Sequence, residues 1–146
     1  MRRVTASLAP ETLDRFQRSL ERCLSDHSFV SRFYARLMLS SDEVAKKFEG
    51  TDLKKQATVL KRSLYMVLRA AHQLEDGLEH LAAISRSHSA RGLDISPRLY
   101  RHWLDTLLAV MRETEPDYEP ELDQVWRAVL VPVIDHMIEH YAQAES

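Results

Sequence analysis

Seven histidines give the chain its most versatile chemistry, because imidazole is both a proton carrier and a metal ligand. They are His27, His72, His80, His88, His102, His136 and His140. Most side chains of this type are surface or cap residues. His88 differs, since it continues a stripe of Leu78, Leu81 and Ser85 at helical steps. An imidazole on such a face is neutral and needs a hydrogen bond or a metal to offset its desolvation. Either Ser87 or the carbonyl of Ile84, four residues back, would accept its Nδ1 proton and leave Nε2 free as a ligand. His136, Glu139 and His140 spell H-x-x-E-H, which can set two histidines around zinc on one helix face. Nothing after them supplies a third ligand, so a zinc hydrolase is not expected. Tyr34 and Gln56 form a second polar constellation, each at or beside an apolar face and each a donor. On spacing alone Tyr34 reads as an amphipathic core residue with its hydroxyl satisfied locally.

Helices must position all of these groups. Pro10 opens a stripe of Leu13, Phe16, Leu20 and Leu24, with Ser7 or Ala9 at its start. A denser apolar face follows in Phe29, Val30, Phe33, Tyr34, Leu37 and Met38. Ser40 and Glu43 have capping-box spacing for a short helix ending near Phe48, and Gly50-Thr51-Asp52 offers a break and a new N-cap. Leu53, Leu60, Leu64, Val67, Leu68 and Ala71 share the face of a long helix, with Gln56 one turn below Leu60. Gly77 is expected to interrupt the chain before the His88 helix, and Gly92 to end that helix. Ser96-Pro97 starts the next, carrying Tyr100, Trp103, Leu104, Leu107 and Met111. After an acidic, proline-bearing joint, the last helix holds Leu122, Trp126, Val129, Val133, Met137 and Tyr141, with a kink expected near Ala128 because Pro132 removes a backbone bond. Seven or eight helices of unequal length predict a compact orthogonal all-α fold rather than an up-down bundle.

Composition bounds the function classes. The 146 residues contain 3 Gly, which argues against hairpin-rich architectures. Cys23 alone precludes a disulfide scaffold and suits a reducing, cytoplasmic setting. A net charge of −2 provides no basic field for nucleic acid, and no apolar run is long enough for a membrane span. Neither a nucleic-acid nor a membrane partner is expected.

The ordered set of Phe33, Tyr34, Phe48, Gln56, Leu60 and His88 resembles a bacterial haemoglobin. The tract from His88 through Pro97 to Tyr100 is similar to the stretch that leads from the haem-ligating histidine into the following helix. The likeness runs from about Leu13 to Tyr141 and is closest to single-domain globins and the globin domain of flavohaemoglobins. It implies a single globin domain over 1–146, with seven to eight helices around one haem b. His88 would be the proximal iron ligand, and Ser87 would hydrogen-bond it. Phe48, Tyr100 and Leu104 would pack on the porphyrin. Tyr34, Gln56 and Leu60 would line the ligand side, with the phenol and the amide donating to an O₂ that has drawn charge from iron. The implied function is reversible O₂ binding and carriage by a cytoplasmic monomer or homodimer, with NO and CO as further ligands. The alternative is nitric oxide dioxygenase, combining O₂ with NO to nitrate and drawing electrons from an external reductase. Gas sensing is the third reading.

Overall fold

A computed structural model describes residues 8–89 and 94–141. Among these residues there are seven helices and no strand: α1 (Pro10–Leu24), α2 (Phe29–Ser40), α3 (Asp42–Lys47), α4 (Leu53–Ala71), α5 (Glu75–His88), α6 (Pro97–Thr114) and α7 (Pro120–His140). The apolar stripes read from the sequence face one continuous core, whose fully buried side chains include Phe16, Phe29, Phe33, Leu64, Leu81, Met111 and Trp126. Helix α4 packs most extensively on α5, α2 on α6, and α1 on α7.

The helix boundaries follow local chemistry, with two departures from expectation. The cap of α3 is Ser41, not Ser40: extended Ser41 accepts from the Glu43 amide at 3.1 Å, while Ser40 ends α2 and donates to the Leu37 carbonyl at 2.6 Å. Glu43 does not reach back toward a cap, because its carboxylate is taken by Arg98 at 2.9 Å and Ser96 at 3.4 Å. Gly77 does not separate α4 from α5 but lies buried in the first turn of α5. The break is made by His72, Gln73 and Leu74. Gln73 adopts φ 62°, its amide donates to Ala70 O at 2.8 Å, and the Leu74 amide donates to Arg69 O at 3.0 Å. That pair of bonds is a Schellman closure with Gln in place of the usual Gly. Pro132 lies inside α7, as expected, with Leu130 and Val133 buried on either side of it. Packing against α1, α4, α5 and α6 holds the chain helical across the missing bond. The expected stop at Gly92 lies outside the described residues.

Gly77 has a different task. A Cβ built there would lie 2.4 Å from Ala70 N and 2.7 Å from Met66 O, both backbone atoms of α4. Only glycine lets the two helices approach so closely.

The corner where α1 meets the α6–α7 joint is held by a buried polar cluster. The Glu115 carboxylate accepts from Ser19 Oγ at 2.5 Å, Arg22 Nε at 2.6 Å and the Asp117 amide at 3.0 Å. Trp126 Nε1 donates to the same Ser19 hydroxyl at 2.9 Å. Burial alone would push the Glu115 carboxyl upward, but the Arg22 and Ser19 hydrogen bonds outweigh it and hold the group below its ordinary value.

Two outcomes follow from this packing. Gly77→Ala should lower stability by about 3 kcal/mol through forced separation of α4 and α5, measured by urea unfolding. Glu115 binds fewer protons folded than unfolded, so its contribution is present above the ordinary carboxyl pKa and lost as pH falls through the lowered folded value. Glu115→Gln should therefore cost about 3 kcal/mol at pH 7 and flatten the acid limb of the stability–pH curve. Parallel acid limbs for the two proteins would refute that assignment.

Candidate functional site

A cavity of about 390 Å³ opens between α2, α4, α5, α6 and α7, with a wall that is mainly apolar. That volume lies in the range of cofactor and small-molecule sites. The amphipathic stripes account for it, because each helix turns one edge of its core face into the same space. Tyr34 and Leu37 come from α2, Gln56, Leu60 and Ser63 from α4, Ile84 and His88 from α5, and Tyr100 and Trp103 from α6. Lys47 lies at the rim, and Phe48 follows it in the joint after α3.

His88 ends α5 and is partly buried. Its Nδ1 lies 3.0 Å from Ile84 O and 3.0 Å from Ser87 Oγ, and Ser87 Oγ itself donates to Ile84 O at 3.0 Å. A carbonyl only accepts, so the ring proton belongs on Nδ1 and the Nε2 lone pair is free. Both partners read from the sequence are thus engaged. Burial lowers the pKa of His88 and outweighs the opposing effect of the Ile84 hydrogen bond, which keeps the ring neutral. A neutral imidazole with its proton pinned behind it has the form in which a histidine can bind a metal.

Tyr34 and Gln56 meet in the cavity wall. The phenol donates to the backbone carbonyl of Gln56 at 3.3 Å, a long bond, and the Tyr34 ring packs edge-on against Phe48 with centroids 5.6 Å apart. Burial pushes the Tyr34 hydroxyl up to about 12 and Tyr100 likewise to about 12, so both are protonated donors at neutral pH. Leu104, expected against a cofactor, is buried in the core and does not contribute to the cavity wall. Tyr100 and Trp103 of α6 line the cavity instead.

Several wall residues escaped the sequence reading. Leu130, Val133, Ile134 and Met137 of α7 line the cavity, as do Ser63 and Trp103. Helical spacing was the available signal: Ser63 stands seven residues after Gln56, and Trp103 three after Tyr100. Ser63 Oγ also lies 3.1 Å from Nε2 of His80 on α5. His136 and His140 stack with centroids 4.1 Å apart, and no group of three metal-ligating residues exists among the described residues. The zinc spacing therefore assembles no site there. No described helix is long and apolar enough to cross a membrane.

The Tyr34 bond is long and its partner is a backbone carbonyl that α4 already employs as a helix. Tyr34→Phe should therefore change the stability of the cofactor-free protein by less than about 1 kcal/mol, measured by urea unfolding. A larger loss would make the phenol a fold determinant.

Comparison with known proteins agrees with this geometry. The globin family profile matches residues 17–137. A crystal structure of the Pseudomonas aeruginosa PAO1 protein PA3967, structurally highly homologous to a human haemoglobin, is 32% identical and superposes with a TM-score of 0.85. The match covers 90% of this chain and 98% of that one. No curated protein sequence matches. With a family match over most of its length and this cavity at its centre, the chain belongs to the globin family.

Proposed function

We propose that the protein holds haem b in this cavity and binds O₂ reversibly at its iron. The observation that carries the reading is His88: a neutral imidazole, its proton fixed on Nδ1 by Ile84, with Nε2 free in the wall of an apolar cavity. The cavity suits the group. Its wall is apolar enough for a porphyrin, the donor is a preferred iron ligand, and Lys47 at the rim complements the carboxylates of haem. When bound, haem would supply an iron able to take a diatomic gas. His88 would hold that iron, with Ser87 and Ile84 fixing its ring. Phe48 and Tyr100 would pack against the porphyrin, and Leu60 would limit water on the ligand side. Leu104 acts through the core behind these contacts. Tyr34, protonated throughout the physiological range, would exchange its long bond to the Gln56 carbonyl for one to O₂, to which the Gln56 amide would also donate. The similarity to a haemoglobin homologue supports this reading. The same two donors would hold O₂ for reaction with NO, so nitric oxide dioxygenation with an external electron donor is the second reading.

Titration of the apoprotein with haemin tests the first step, with an intense Soret band and a raised unfolding temperature as the expected result. His88→Ala should abolish the native ferrous spectrum, and an unchanged spectrum would show that another group ligates iron. Tyr34→Phe should speed O₂ dissociation about tenfold, the equivalent of a hydrogen bond of roughly 1.4 kcal/mol. An unchanged dissociation rate would remove the phenol from the site.

A further inference from the structure

Helix α4 carries Lys54, Lys55, Lys61, Arg62 and Arg69 and not one Asp or Glu. Lys54 and Lys61 are seven residues apart, as are Lys55 and Arg62, and the intervening Thr58 and Val59 share that solvent face. All four of Lys54, Lys55, Lys61 and Arg62 are exposed. The ion pairs elsewhere set this face apart. Arg15, Arg18, Arg22, Arg32, Arg36, Arg98 and Arg112 each lie within 4 Å of a carboxylate, and Arg69 pairs with Asp76 at 2.8 Å. Lys54, Lys55, Lys61 and Arg62 have no such partner among the described residues. Asp52, the nearest acid in sequence, is engaged in capping the Lys54 and Lys55 amides at 3.0 and 3.4 Å. A chain with a net charge of −2 thus gathers four cations without a carboxylate partner, among the described residues, on one helix face.

Two further features make this more than a solvated helix surface. Val59 is 50% exposed and Tyr65 40%, so apolar surface adjoins the cations on the same helix. Apolar surface beside charged groups is found in protein contacts. Val59 also lines the cavity, so the face reaches the cavity mouth.

We infer that this face, Lys54 to Tyr65, docks an acidic electron-transfer protein that reduces the haem held in the adjoining cavity. The inference rests on the haem reading above. An O₂-binding iron that loses an electron must regain one, and long-range electron transfer requires close approach of the donor to the cofactor edge. One electron leaves the partner's reduced flavin, which is oxidised, and enters ferric iron, which becomes ferrous. No bond forms or breaks. Opposite charges on the two faces raise the encounter rate and make it dependent on salt.

Stopped-flow reduction of the ferric holoprotein by reduced flavodoxin, an acidic one-electron donor, tests this at low and high ionic strength. The second-order rate should fall steeply with salt, and the variant K54E/K55E/K61E/R62E should be slower by about tenfold or more at low salt. Reduction by a neutral free flavin should be unaffected in that variant. Amide shift changes on adding flavodoxin should cluster between residues 54 and 65 and vanish in the variant. A control with Arg101→Glu and Arg127→Glu on α6 and α7 should retain the parent rate. Equal losses in the control, or variant rates equal to the parent, would overturn the proposal. So would face-dependent binding to anionic lipid vesicles with no effect on reduction by flavodoxin. Absence of a Soret band would sink the haem reading itself, whereas a normal band with indifferent reduction kinetics sinks the docking surface alone.

Discussion

The structure is organised around an apolar hole that the chain cannot fill by itself. A dry void of about 390 Å³ would cost about 9 kcal/mol at the usual penalty per unit volume, comparable to the entire stability of a small domain. Water at the open mouth relieves part of that cost, but the wall remains mainly apolar and gives water few partners. The helices that surround the hole must therefore be held from behind. Phe16 packs edge-on against Trp126 with centroids 5.1 Å apart, the Glu115 cluster binds α1 to the α6–α7 corner, and Gly77 lets α5 press on α4. Each of these contacts lies away from the cavity. A flat apolar ligand that entered the hole would add contacts where the chain has least of its own, and folding and ligand binding are coupled for that reason.

His88 shows how the backbone prepares a site. Its helix must end where it does so that the ring reaches the cavity, and the i−4 carbonyl must face Nδ1 so that the proton lies on the far side. The helix geometry supplies the second condition automatically, because residues four apart share a face. The Asp94 amide donates to Ser89 O at 2.9 Å and the Ile95 amide to His88 O at 3.1 Å, so the chain returns to the end of α5 before α6 starts. Tyr141 donates to the Asp94 carboxylate and links that return to the end of α7. Helix α5 is thereby anchored at its C-terminal end by the backbone and by the last helix.

Periodicity made the helices and most of the core legible, since Leu13, Phe16 and Leu20 or Leu60, Leu64 and Val67 leave no other face to bury. His88 and Tyr34 were singled out by type and place, but only the fold brings Tyr34 against the Gln56 carbonyl across 22 positions of sequence. What misled the reading was glycine. Gly77 looked like a break because glycine usually supplies a turn, yet here it serves helix contact, and Gln73 takes the left-handed position. A close approach between two helices is a long-range fact that no local pattern encodes. The same limit applies to Leu104 and Trp103, neighbours on one apolar stripe whose division between core and cavity depends on where α2 and α7 lie. The Ser40–Ser41 exchange is smaller: either serine satisfies the local rule, and the extra residue of α2 decides between them.

Charge is distributed as unevenly as packing. Carboxylates from α3, α6, α7 and the joint between the last two neutralise arginines of α1, α2 and α6, so the side of the molecule that holds the fold is electrostatically satisfied. Exposed pairs of this sort contribute little each, but they leave no net field behind. Helix α4 does the reverse, presenting cations beside the cavity mouth with only Arg69 paired. Self-repulsion along one helix face lowers stability slightly, and nothing in the fold recovers that cost. The uncompensated charge lies beside the opening through which any ligand must pass. Anionic groups, whether the carboxylates of a cofactor or the acidic surface of a partner, meet there cations that no carboxylate neutralises among the described residues.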